Sequence, residues 1–407
     1  MEMDVGLFVL LMTGASLAVR LLPLLPERYR VAAALLVLLA FLCWAPFALD
    51  NYRIFQFSRV AIWVVVAMGL NILTGYNGQI SLGHGALVAL GAYTAALLMD
   101  RNEQMGFLDA EPWPFWTAII AAGVLTAVIG FFLGFPALRL TGPYLAIATL
   151  ALVISFPSII RKYDEFTGGA QGIVIRQPGP PGFLGDTLDD SEWLYFLSLF
   201  IAVLMLVMAW SILQGPLGRA FVAVRDSEVA AAAMGVNVAE TKIAAFTISA
   251  FFAGIAGGLY TQVLGVVTPE SIDIVTSINF LTAIVIGGLA SILGAAIGAA
   301  AIIFLPSDGP DLVGTLPLVD SEVVKRAPGA IQGAIVIFVI LIMPQGMAGF
   351  YHRLTRTTPA AVLRGIADAP AAFRGRLIDM RESLAESWDG LGWNRREPGP
   401  PDSREGG

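Results

Sequence analysis

The sequence predicts an all-α, polytopic membrane protein with about ten or eleven crossing helices. Three observations carry this. Hydrophobic residues fill 57% of the 407 positions and charged residues only 14%, more apolar surface than a soluble fold of this length can hide. Mean hydropathy is +0.76. Apolar runs of roughly 20 residues, the length that crosses ~30 Å of hydrocarbon, recur along the chain.

The elements follow in order. The opening "MEMDVGLFVLLMTGASLAVRLLPLLP" has an acidic start and no clear small-residue cleavage site, so it reads as a retained first span rather than a signal peptide. Apolar runs then place spans at 5–23, 31–49, 56–74, 80–99, 115–134, 143–160, 193–213, 241–264, 276–288, 291–305 and 329–346. The stretch 276–305 has "GGLASILG" at its middle and reads as two crossings, a broken helix or one tilted span. Backbone broken at that depth survives only when it is buried in protein or lines a cavity. Polar loops fall at 100–114, 161–192 and 306–328, and a fourth of different character at 214–240. Beyond Gly349 comes a tail with nine arginines, no lysine and eight acids, which reads as soluble, with segments amphipathic enough for a membrane surface or a partner.

Lys and Arg lean toward one orientation. With loop 214–240 and the tail inside, Arg28, Arg30, Arg139, Arg219 and Arg225 are cytoplasmic, while Arg161, Lys162, Lys325 and Arg326 are left outside.

Several chemistries are excluded. The three lysines lie in "RKYD", "TKIA" and "VKRA", and none belongs to a phosphate-binding P-loop, so the chain is expected to bind no ATP in that manner. Two histidines and one cysteine, Cys43, support neither a metal cluster nor an internal disulfide. Nothing around "QISLGHG" resembles a nucleophile elbow, so no catalytic residue and no cofactor are expected. There is no basic patch for nucleic acid. The spans 115–134, 143–160, 193–213 and 243–264 carry no ionisable residue, which speaks against an ion-coupled carrier. What remains is a transporter powered from outside, or a channel.

Loop 214–240 offers a place to receive that power. Asp226 or Ser227 suits an N-cap, Glu228 complements the helix dipole, "EVAAAAM" forms helix readily, and Gly235 ends it. The same features also describe an ordinary capped loop helix.

Here the sequence resembles a family. "GRAFVAVRDSEVAAAAMGVNVAETKIAAFTISAFFAGIAGGLY" is similar to the cytoplasmic coupling segment and following helix of LivM-type permeases, subunits of ABC importers for branched-chain amino acids. So, in the family's order, are "GYNGQISLGHGALVALGAYTAALL", "LRLTGPYLAIATLAL", "TGGAQGI", "IGGLASILGAAIGAAAI" and "MPQG". The resemblance implies an ABC importer permease fold over 56–350, with membrane segments 1–55 and a soluble cytoplasmic tail 351–407 outside it. It implies a bacterial inner-membrane machine with a second related permease, two ABC ATPase subunits that hold the ATP, and a periplasmic binding protein. The ATPases would dock at Arg225, Asp226, Ser227, Glu228, Ala231, Ala232, Met234 and Gly235, which sets loop 214–240 in the cytoplasm. Eleven crossings then put the N-terminus outside, and ten put it inside. Related permeases carry urea or short amides, so the solute stays open beside Leu, Ile and Val. Two departures stand out: Ala290 where the family commonly has glycine, and Ala295 where it has proline.

The stretch 75–93 has two readings. Asn77-Gly78 signals a turn, and small residues at Gly85/Ala89, Gly91/Ala95 and Ala92/Ala96 let the following helix pack closely. Alternatively Asn77, Gln79, Ser81 and His84 line a solute path, with Gly287, Gly288 and Ser291 of the second broken region as counterpart. An uncharged path would suit a zwitterion, which a fixed charge would trap.

Overall fold

A computed structural model describes residues 42–99, 113–140, 142–182 and 188–314, with isolated positions at Ala40, Gly185, Gly333, Ile337, Gly346 and Met347. The expected spans 5–23 and 329–346, the loop 100–112 and the tail lie outside the described residues or touch them only at isolated positions.

After a 3-10 turn at Ala45–Ala48, helix α1 spans Asn51–Leu70 and continues as one π-helical turn, Asn71–Tyr76. Helices α2 (His84–Met99), α3 (Phe115–Ala137) and α4 (Pro143–Lys162) follow, then the single turn α5 (Asp164–Thr167). Helix α6 runs Asp190–Gln214, α7 Pro216–Asp226, α8 Glu228–Ala233 and α9 Val238–Leu264. Last come α10 (Ile274–Gly287) and α11 (Ile292–Gly314). Among the described residues, five helices are long and apolar enough to cross a membrane: α1 with its π turn, α3, α4, α6 and α9. The only sheet among them is β1 (Ile173–Val174) paired antiparallel with β2 (Val266–Val267).

Boundaries differ from the hydropathy reading where helices outrun the hydrocarbon. Helix α6 begins at Asp190, because Asp189 and Glu192 form a reciprocal capping box ahead of the apolar run. Helix α11 continues to Gly314, into the expected loop. Hydropathy marks where lipid ends, not where backbone hydrogen bonding does.

Helices α1 and α9 form the middle of the bundle. The α1 span is 83% buried and that of α9 67%, against 28% for α4. Small residues permit this crowding, as the sequence led us to expect. At Gly257 of α9, a Cβ would come 2.1 Å from the Val88 carbonyl of α2, so only glycine fits there. The Thr261 hydroxyl donates to the Ala92 carbonyl at 2.9 Å across the same seam.

The contacts also fix helix directions. The Ser191 hydroxyl meets Asn51 at 3.2 Å, so α1 and α6 start at one end. At the other end, Arg225 reaches the last turn of α1. Arg161 pairs with Glu270 at the first end, far from Arg225. Helices α10 and α11 form an antiparallel hairpin. A Cβ at Gly298 would meet the Ala283 carbonyl at 1.9 Å, and one at Gly294 the Gly287 carbonyl at 2.6 Å. The stretch 276–305 is therefore a helical hairpin with its tip at 288–291.

Candidate functional site

Among the described residues, helical structure breaks at 71–83 and at 288–291, and the structure brings these two breaks together. The π-helical turn widens α1 at Asn71–Tyr76. From there the chain is irregular until α2 begins at His84, three residues later than the small-residue pattern from Ser81 suggested. Asn77-Gly78 makes the expected turn, with Gly78 at φ +77°. The backbone donors freed at the start of α2 are met by hydroxyls from three elements. Leu82 N–H donates to Thr149 Oγ1 of α4 at 3.1 Å, and Gly83 N–H to Ser81 Oγ at 3.3 Å. Gly85 N–H donates to Ser277 Oγ of α10 at 3.0 Å. The break is thus braced by side chains, as its depth in apolar surroundings requires.

The second break is the hairpin tip, and one residue clamps it. Asn71 Nδ2 donates to the Ser291 carbonyl at 2.9 Å, and Asn71 Oδ1 accepts from Ala290 N–H at 2.9 Å. Gly75 lies so close that a Cβ there would stand 2.5 Å from Ala290 N. Ala290 has φ 56°, and it alone among the described non-glycine residues has positive φ. It occupies a left-handed conformation where the family pattern has glycine, and it holds the break rather than removing it. Ala295, the other departure, is fully buried in α11. Gly346, of the "MPQG" block, sits against Gly288.

Asn71 escaped the sequence reading. The signal was an amide inside the run "VVVAMGLNILTG", where lipid-facing positions are apolar.

Of the candidate path residues, Asn77, Gln79, Ser81 and His84 are all buried, His84 completely. Gly287 and Gly288 are buried at the hairpin tip and Ser291 is half-buried there. The amides of Asn77 and Gln79 and both ring nitrogens of His84 have no hydrogen-bond partner among the described residues. A buried polar group left unpaired costs about 1–3 kcal/mol, so four such groups on one short segment call for something polar to meet them.

The 214–240 segment holds two helices where one was expected. Gly215-Pro216 starts α7, with proline at a first-turn position that needs no N–H donor. Ser227 then caps α8 by accepting from Ala230 N–H at 3.2 Å. Two side chains tie this segment to the bundle. Arg225 donates from NH1 to the Gly75 carbonyl at 3.1 Å and from Nε and NH2 to Asp226 Oδ1 at 3.0 Å. Lys242 of α9, buried, meets Glu228 of α8 at 2.6 Å.

The residues expected to make the contact differ in exposure. Ala231 is only 4% exposed, because on so short a helix one position per turn must face the bundle. Ala232 and Gly235 are exposed, and Val229 and Met234 stand out at 83% and 85%.

Comparison with known proteins bears on this arrangement. A family described as "Branched-chain amino acid transport system / permease component" matches residues 52–343. The high-affinity branched-chain amino acid transport system permease protein LivM of Salmonella typhimurium is 36% identical over 267 residues, 60% of this chain and 61% of that protein. Its Escherichia coli counterpart is 37% identical over 279 residues, 63% of each. The permease protein LivH of Salmonella typhimurium is 25% identical over 300 residues, 70% of this chain and 91% of that protein. The chain thus spans less than two thirds of the LivM proteins it matches. No solved structure matches it.

Proposed function

Because this chain belongs to the family of branched-chain amino acid transport permease components, we propose that it is one of two related permeases in an ATP-driven importer of the bacterial inner membrane. Two partner ATPases bind the ATP, a periplasmic protein delivers leucine, isoleucine or valine, and this chain itself hydrolyses nothing. The α8 end faces the cytoplasm.

The observation that carries this reading is the way α8 is mounted. It is capped, slim and exposed on one face, and it projects two apolar side chains, Val229 and Met234, into solvent. An isolated exposed apolar residue is ordinary, but a pair on this short helix and its C-cap fits a partner's groove. Its N-terminal end is wired inward twice: Arg225, in the last turn of α7, bonds the broken end of α1, and Glu228, the first residue of α8, pairs through Lys242 with α9. Asn71 then joins α1 to the hairpin tip. A push on α8 therefore reaches both breaks through hydrogen bonds and an ion pair. The unpartnered groups of Asn77, Gln79 and His84 supply the polar contacts of a passage beside them.

Proline at Ala232 removes a backbone donor and clashes with the preceding turn, at a cost of about 3 kcal/mol. We expect Ala232→Pro to insert and fold, yet to lose ATPase association or substrate-stimulated hydrolysis. Cysteine crosslinking to the ATPase from Val229 or Ala232 should succeed in the unaltered helix, and from Ala231 it should fail. Full uptake by Ala232→Pro at normal expression, or uptake by this chain alone in liposomes, would replace the importer reading with that of a channel or carrier.

A further inference from the structure

One cavity has a charge and a shape that the transport reading leaves unused. It lies between α1, α2, α9 and α10 and holds about 390 Å3 of unfilled space, its open mouth included. Arg59, Trp63 and Val66 of α1 line one side, with Val88, Tyr260 and Phe280 around them. The rings of Trp63 and Phe280 lie 4.5 Å apart and make an aromatic wall.

Arg59 is the unexplained member. Its guanidinium is half-buried within a membrane-spanning helix, and among the described residues no carboxylate pairs with it. Its neighbours include the Phe55 ring, 6.0 Å from the guanidinium carbon to the centroid, and Tyr260 across the cavity. A planar guanidinium at such a depth is suited to a carboxylate, which it grips through two parallel hydrogen bonds. The remaining lining is apolar or offers acceptors. Tyr260 donates its hydroxyl to the Ser271 carbonyl at 3.3 Å, and Thr276 donates to Asp273 Oδ1 at 2.8 Å, which leaves oxygen lone pairs on this side of the cavity. A fixed cation, an aromatic and aliphatic wall, and acceptor oxygens match the three parts of one solute: carboxylate, apolar side chain and ammonium.

The position agrees. Arg59 lies 17 residues before Tyr76, so it stands about 25 Å along α1 from the α8 end, toward the side on which solute would arrive. The cavity also leads somewhere. Val66 and Val88 line it, and one turn further along their helices are Gly69 and His84, which touch: a Cβ at Gly69 would be 3.5 Å from His84 Nε2. The buried side chains of Asn77, Gln79 and His84, whose polar atoms have no partner among the described residues, begin where the cavity ends. The uncharged path expected from the sequence does not extend to this half of α1.

We propose that this cavity binds an apolar α-amino acid in transit, with Arg59 holding its carboxylate and Trp63 and Phe280 packing on its side chain. The proposal rests on the transport reading for its choice of amino acid over other apolar carboxylates.

The test uses the complete importer with Cys43→Ser and Thr276→Cys, so that the introduced thiol reports on the cavity. Saturating L-leucine should slow its labelling by a maleimide at least threefold, whereas leucinamide, which lacks the carboxylate, should not. Inorganic phosphate and phosphatidylglycerol-rich vesicles should not protect it either. Adding Arg59→Gln should abolish protection and lower leucine uptake at least tenfold, with Arg59→Lys restoring part of both. Labelling unchanged by leucine, in an importer that still takes leucine up, would overturn the site and leave the transport reading standing. Equal protection by leucinamide, phosphate or anionic lipid would overturn it in favour of a less selective or anion-binding cavity. Protection by leucine in an importer that takes none up would support the site and overturn the transport reading.

Discussion

Ala290 shows how one residue can register a constraint set elsewhere. Asn71 holds both the N–H of Ala290 and the carbonyl of Ser291, and this fixes the hairpin tip in a conformation that an L side chain adopts at a cost. Ala290→Gly removes the Cβ without touching either hydrogen bond. It should stabilise the protein by about 1 kcal/mol, the cost of a left-handed non-glycine residue. Thermal unfolding of the detergent-purified protein would register this as a rise in midpoint, and an unchanged or lower midpoint would mean that the tip is not held this way. The departure at this position was legible in the sequence, but its conformation was not. A positive φ at an alanine is imposed by Asn71, 219 residues away, which no local pattern encodes.

At the scale of elements, legibility followed the range of the forces involved. The cores of all eight spans expected between 56 and 305 are helical as read, because runs of apolar side chains and intrahelical hydrogen bonds are local. Ser227 and Gly235 delimit α8 for the same reason, while α7 was missed because its amphipathic face is short and lies in a segment of mixed polarity. The hairpin of α10 and α11 was undecided between three forms until tertiary contact chose one. The ion pair between Glu228 and Lys242 belongs to this scale, since it joins α8 to α9. Lys242→Met keeps the buried stem and deletes the charge. We expect ATPase docking to persist while leucine uptake falls about fivefold, the equivalent of roughly 1 kcal/mol. In a double-mutant cycle, Lys242→Met combined with Glu228→Gln should be no worse than either alone. Additive losses would show that the two charges act separately.

For the molecule as a whole, burial is lopsided: α1 and α9 are enclosed, while α3, α4 and α6 turn most of their surface outward. That geometry has a consequence for how the protein is made. The clamp at Asn71 closes only on residues 219 and 220 positions further along the chain. At synthesis rates of 5–20 residues per second, α1 waits about 10–40 s between its own emergence and that of its partner. Throughout that interval the Asn71 amide lacks its hydrogen bonds, and the helix destined for the centre of the bundle gains α6 and α9 as neighbours only in its second half. A helix in this position must be sheltered by the insertion machinery, so a photo-crosslinker at Phe55, exposed on α1 and leaving Asn71 intact, should label that machinery until residue 291 has been made, and then stop. Nascent chains arrested before α10 should remain crosslinked and, once released, be degraded faster than the full chain. Release of α1 into lipid directly after its synthesis would mean that the nascent bundle tolerates an open clamp. The residue that clamps the finished hairpin tip is, during synthesis, the one that sets the time at which the bundle can first close.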